Sequence, residues 1–223
     1  VGRAERAARR AAASGSGPTR DAPARNPGAT GAFALFGEAL LVGILVTAAG
    51  LLVVTLPAAL AAGIRHLRRF VRGDGSPLEA FWRDLLRALP TGLIVGVAAA
   101  AIAGILALDI ALAGSGALPG GGAIAAAGWL VAGLAGGALL LACASWDPDA
   151  GWSGALRAIP GAVSADPAGA IYHVVAAAFV GLAAWMLIPL TIPALGCAAL
   201  AAVAVPARAR SGRQKTSVDR HPH

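Results

Sequence analysis

Four long apolar runs, separated by short polar stretches, constrain this chain more than any motif in it. They occupy Phe33 to Ile64, Leu89 to Leu112, Gly122 to Ser145 and Ala168 to Val205. A helix needs about 20 apolar residues to cross a bilayer, and it must satisfy its backbone polar groups within itself. Runs of this length point to an all-α, polytopic membrane helical bundle. Only 13% of the residues are charged and the mean hydropathy is +0.72, where soluble domains carry about a quarter charged residues.

The second and third runs each fit one helix. The fourth is long enough for two, and Pro189 and Pro193 in "IPLTIP" mark the break. The first run also holds a proline, Pro57. Inside a helix a proline costs about 3 kcal/mol, whereas in a first turn it fits well. Charge decides between one helix here and two. Of the 18 Lys and Arg, six lie in the N-terminal tail, six between Arg65 and Arg87, one at Arg157 and five in the C-terminal tail. Two helices meeting near Val54 to Pro57 put all of them on one side of the membrane. A single helix would split them across it. Basic residues are retained on the cytoplasmic side, so the pattern predicts six transmembrane helices with both termini cytoplasmic, in a bacterial inner membrane.

The predicted spans are about 33–53, 57–72, 89–112, 122–145, 168–188 and 190–205, arranged as three hairpins in a membrane domain over 33–205. Basic tails at 1–32 and 206–223 read as disordered. The charged N-terminal stretch does not read as a signal peptide. A net charge of +7 and a pI near 11.2 raise nucleic acid as a partner, but the basic residues sit beside apolar runs, not on an aromatic-laced soluble face.

Arg65, Arg68, Arg69 and Arg72 recur at i, i+3, i+4 and i+7, on one helical face, with Ile64, Leu67 and Val71 roughly opposite. Ser76 and Glu79 stand at capping-box spacing around Pro77. Leu78, Phe81, Trp82, Leu85, Leu86 and Leu89 then form an apolar stripe, predicting an amphipathic helix on the inner membrane surface. Residues Trp152 to Val163 echo it, and Asp166-Pro167 caps the next span. The four arginines, with Phe81 and Trp82 beneath them, are candidates for contact with anionic headgroups. The other reading is that they only set topology.

No P-loop, dinucleotide fingerprint, nucleophile elbow or metalloprotease motif occurs, and no catalytic, cofactor-binding or metal-ligating residue is assigned. Cys143 and Cys197 fall inside apolar runs and read as small buried hydrophobes. Intramembrane ionisable groups are functional candidates. Here they are Glu38, Asp109 and His173, of which Glu38 and His173, at similar depth, form a candidate polar pair. Glycine and alanine recur every four residues at Gly92, Gly96, Ala100 and Gly104, and at Gly128, Ala132 and Gly136, a spacing suited to close helix packing. Trp82, Trp146, Trp152 and Trp185 suit interfacial belts.

The stretch "TLPAALAAGIRHLRRFVRGDGSPLEAFWRDLLRALPTGL" resembles the YesL-like family, bacterial integral membrane proteins sharing a domain of unknown function. The matching features are Thr55, Pro57, Ala58 and Ala61 at the turn, the basic run ending at Arg72-Gly73, and Phe81-Trp82. The likeness covers about Phe33 to Val205. This chain is poorer in aromatics, and its basic N-terminal tail is an addition. The resemblance implies a non-catalytic accessory or regulatory component associated with carbohydrate uptake, with a carbohydrate ABC-transporter permease or a homo-oligomer as partner. It supplies no catalytic residues. A small transporter, in its own right or as an oligomer, is the alternative, and an intramembrane enzyme comes third.

Overall fold

The computed structural model describes residues 31–116 and 119–218, with side chains as far as Val205. Among these, all regular structure is helical: α1 (Ala32–Ala49), α2 (Leu56–Arg72), α3 (Leu78–Gly114), α4 (Gly121–Ser145), α5 (Gly151–Ala165), α6 (Pro167–Met186) and α7 (Thr191–Val218). Short 3-10 turns, Val53–Thr55 and Ile188–Leu190, join α1 to α2 and α6 to α7. Both breaks fall where proline predicts them. Pro57 occupies the first turn of α2, and Pro189 lies within the second 3-10 turn. The N-terminal stretch 1–30 and residues 219–223 lie outside the described residues. The predicted C-terminal tail begins at Pro206, but α7 stays helical to Val218.

Five segments are long and apolar enough to cross a membrane: Ala32–Ala49, Leu78–Gly114, Gly121–Ser145, Pro167–Met186 and Ile188–Val205. Helix α2 is not one of them. It has 17 residues, four of them arginine, yet it is the most enclosed helix of the bundle. Residues Pro57 to Ile64, His66, Leu67 and Phe70 are all buried, against α1, α3, α4 and α7. The five candidate spans instead keep most of their surface outward: Ile94, Leu108 and Ile171, for example, are each more than 60% exposed. A chain with apolar helices outside and its most basic helix inside suits lipid, not water, as its surroundings.

Helix α2 ends on Gly73, whose φ of 72° lets its N–H turn back on to the carbonyls of Arg69 and Phe70. Such a left-handed position favours glycine. The expected capping box does not form. Helix α3 starts at Leu78 with no side-chain cap, and the Ser76 hydroxyl donates to Glu38 Oε1 at 3.4 Å. Nor is there a separate surface helix before the third span. Helix α3 runs unbroken for 37 residues through Pro90, about 55 Å by helical rise, against a hydrocarbon core of about 30 Å.

Close packing is set by small residues. A Cβ at Gly96 would fall on the Val54 carbonyl, one at Gly43 on that of Ile192, and one at Gly196 on that of Ala39. These contacts seat the α1–α2 turn on α3 and cross α1 over α7 backbone to backbone. The turn therefore lies beside the middle of α3, eighteen residues short of Gly114, or about 27 Å. Its tip is apolar and outward-facing, with Leu51 80% and Leu52 70% exposed. The Thr55 hydroxyl, 2.7 Å from the carbonyls of both Ala49 and Leu52, satisfies the turn's backbone from within.

Candidate functional site: the polar cluster at the charged end of α2

The last two turns of α2 gather the ion pairs of Arg65 and Arg69 at one end of the bundle. Arg65 Nε donates to Asp84 Oδ2 at 3.1 Å, and its Nη1 donates to Asp147 Oδ2 at 3.0 Å. Arg69 Nη2 donates to the same Asp84 oxygen. One arginine thus ties α2 to α3 and to the segment after α4, and a second doubles the tie to α3. The Arg65 guanidinium also lies 5.7 Å from the centroid of the Trp146 ring, within cation–π range. Arg68 Nη2 donates to the Ala144 carbonyl at 2.5 Å. That carbonyl is in the last turn of α4, where a cation meets the negative end of the helix dipole.

Asp84 is only 3% exposed. A lone carboxylate there would lose its hydration without compensation, and the two guanidinium groups supply it. The position is legible in the register of α3. Its buried face runs through Phe81, Asp84, Leu85, Ala88, Gly92 and Gly96, so Asp84 stands on the buried stripe.

On the other side of α2, His66 is fully buried. Its Nε2 stands 2.7 Å from Glu38 Oε1, a carboxylate that also accepts from Ser76. The ring meets Phe81 edge-on, with centroids 6.3 Å apart. Its Nδ1 is buried without a hydrogen-bond partner. The sequence reading places Glu38 with His173; the structure pairs Glu38 with His66 instead. His173 Nδ1 lies 2.7 Å from the Gly169 carbonyl of its own helix, the usual recourse of a buried polar ring. Asp109 is exposed near the far end of α3. His66 is absent from the sequence candidates, although its position signals it. Ala59, Ala62 and Phe70 lie at i−7, i−4 and i+4, all on the apolar face of α2.

The residues predicted to meet headgroups divide. Phe81 is fully buried between His66 and Trp82, which corrects its assignment to the membrane surface. Arg65, Arg68 and Arg69 turn on to protein partners. Arg72 is exposed and Trp82 is 47% exposed, so these two keep an outward aspect. Two of the predicted belt tryptophans are core residues. Trp146 and Trp152 are 2% and 3% exposed, and Trp152 Nε1 donates to the Ala88 carbonyl at 2.9 Å. Trp185, at 81%, does face outward. Cys143 is buried as expected, and Cys197 is exposed.

Chemically, the cluster is a brace. It holds the ends of α1, α2, α3 and α4 together through charge-assisted hydrogen bonds in which most polar atoms are already engaged. Comparison of the chain with protein-family models, with curated proteins and with solved structures returns no match to any of them.

Proposed function

We propose that this chain is a non-catalytic, multi-pass protein of the bacterial cytoplasmic membrane that works through a braced inner face, as an accessory component associated with carbohydrate uptake. The observation that carries the reading is the distribution of polarity. Buried His66 and Asp84 and the ion pairs of Arg65 and Arg69 are spent on neighbouring segments, and buried His173 turns to a carbonyl of its own helix. The rest of the described interior is closed by apolar side chains, mainly Ala, Leu and Val, with Phe81, Trp146 and Trp152 among them. Rigid helices tied at one end, with little polarity to line a path through the bundle, suit a docking platform better than a conduit. The link to carbohydrate uptake is supported by the YesL-like stretch from Thr55 to Trp82.

In the topology that goes with this reading, the charged end is cytoplasmic, with both termini on that side. Helices α1 and α2 form a hairpin that enters the bilayer and returns. The exposed Leu51 and Leu52 at its tip, and the shortness of α2, support a turn held within the hydrocarbon. Co-purification in mild detergent tests the functional part. The permease of a carbohydrate ABC transporter should appear with the full chain. Recovery as a homo-oligomer with no permease would favour the transporter reading instead.

A further inference from the structure

The arginines of the charged end divide by what they touch. Arg65, Arg68 and Arg69 donate to protein acceptors. Arg83 and Arg87 of α3 are exposed and, among the described residues, make no hydrogen bond or ion pair. Standing four residues apart on one helix, they share a face. Trp82 and Leu86, 47% and 67% exposed, form an apolar strip alongside them. Buried Phe81 holds the Trp82 ring edge-on, with centroids 5.3 Å apart. The acids in these first turns of α3 are Glu79, exposed one turn before Arg83, and Asp84, which faces inward to Arg65 and Arg69. The exposed face therefore keeps a net positive charge.

The depth of this face follows from the helix beyond it. From Ala88 to Leu108, α3 carries no charge, and Asp109 after it is exposed. That stretch rises about 31 Å, which matches a hydrocarbon core of about 30 Å. A straight crossing sets Arg87 at one boundary of the hydrocarbon and Asp109 at the other. Trp82 and Arg83 then lie about 6–8 Å further out, in the headgroup layer, where an indole is at home. The same scale puts Gly96, and the turn seated on it, about 13 Å inside the boundary. At the level of Leu86 and Arg87 the available neighbours are lipids, whose phosphates match two guanidinium groups in charge and hydrogen bonding.

We infer that Arg83 and Arg87 form a binding site for the phosphate of an anionic phospholipid, with Trp82 and Leu86 against the upper part of its acyl chains. The inference rests on the reading of the chain as membrane-embedded and not on the accessory role, so failure to find a permease partner does not touch it.

The full chain is reconstituted in phosphatidylcholine bilayers. It is titrated with phosphatidylglycerol or with phosphatidylcholine, each brominated near the headgroup end of its acyl chains. The quenching that Trp82→Phe removes is the signal of Trp82. It should reach half its maximum at a mole fraction of the anionic lipid on the order of tenfold lower. R83Q/R87Q should bring the two titrations together and leave the neutral-lipid curve in place, which also reports a folded chain. R83K/R87K should keep most of the preference, and R157Q, on α5, all of it. Coincident titrations of the unaltered chain would overturn the site, as would a preference that survives R83Q/R87Q or one lost equally in R157Q. Reversal of the preference by glycerol phosphate in the buffer would reassign the arginines to soluble phosphate esters and overturn the lipid site. Absence of a Trp82 signal from either lipid would also overturn it, by showing that protein covers the face.

Discussion

At the scale of single residues, Asp84 is the most consequential ionisable group described. Its carboxylate is nearly buried and shared by Arg65 and Arg69, each about a quarter exposed. Replacing it with Asn keeps the shape and removes the charge, leaving two guanidinium groups to find water or Asp147. Because they can reach solvent, the loss should fall below the full cost of breaking a buried pair. Asp84→Asn should lower stability by about 2 kcal/mol, read from reversible unfolding in mixed micelles, while Arg72→Gln on the exposed side of the same helix should change it by about 0.5 kcal/mol or less. Equal values for the two variants would remove the ion-pair brace from the account. Neither Asp84 nor His66 stood out in the sequence as a candidate, for a shared reason. Each occupies an apolar helical face, and in a soluble protein such a stripe is found by its greasy members, whereas here lipid is as apolar as the interior.

At the scale of elements, the same point explains why the α3 stripe divides between protein and surroundings. Phe81 and Leu85 are buried within the protein, not against the membrane surface as the stripe predicts, while Leu78, Trp82 and Leu86 are 47%, 47% and 67% exposed. The true interior face is rotated toward Asp84, Ala88, Gly92 and Gly96. Between helices in lipid the attraction comes from packing, not from escape from water, so small residues mark the contact. The glycine spacing in α3 carries this signal only in part. Gly92 packs against Trp152 and Ala58, and Gly96 meets Val54, whereas Gly104 has open space around it. Gly96→Ala should therefore destabilise the fold by about 1–3 kcal/mol through overpacking against the Val54 carbonyl. Gly104→Ala should be neutral or stabilising by up to about 1 kcal/mol, from helix propensity alone. Thermal unfolding of the two variants side by side checks the pair, and a Gly96→Ala chain as stable as its parent would unseat the hairpin from α3.

At the scale of the whole molecule, the unequal depth of the hairpins matters most. The α1–α2 turn stops beside Gly96, while α3 continues to Gly114 and α4 begins at Gly121. With Cys143 and Cys197 replaced, single cysteines at Leu52, Asp74 and Ser115 separate the arrangements in intact cells and in inverted vesicles. Ser115→Cys should react with a membrane-impermeant thiol reagent from outside, and Asp74→Cys only from the cytoplasmic side. Leu52→Cys should react from neither, because the proposed topology holds its turn within the hydrocarbon. Labelling of Leu52→Cys from outside would restore a full second crossing, and labelling of Asp74→Cys from outside would invert the topology.

The apolar runs, the two proline breaks and the gathering of basic residues between them determined an all-helical membrane architecture without any tertiary information. Each of these depends on the chain's own cost of leaving water or of breaking a helix, which neighbouring helices do not alter. The tertiary structure alone decided that α2, the helix with four arginines, is the enclosed one. It also joined Glu38 to His66, made Trp146 and Trp152 core residues, and turned three arginines inward. Those outcomes depend on which side chains meet across helices, as Arg65 does with an acid 82 positions away at Asp147. Helical periodicity shows a face, but when both lipid and protein interior are apolar it cannot say which face looks in.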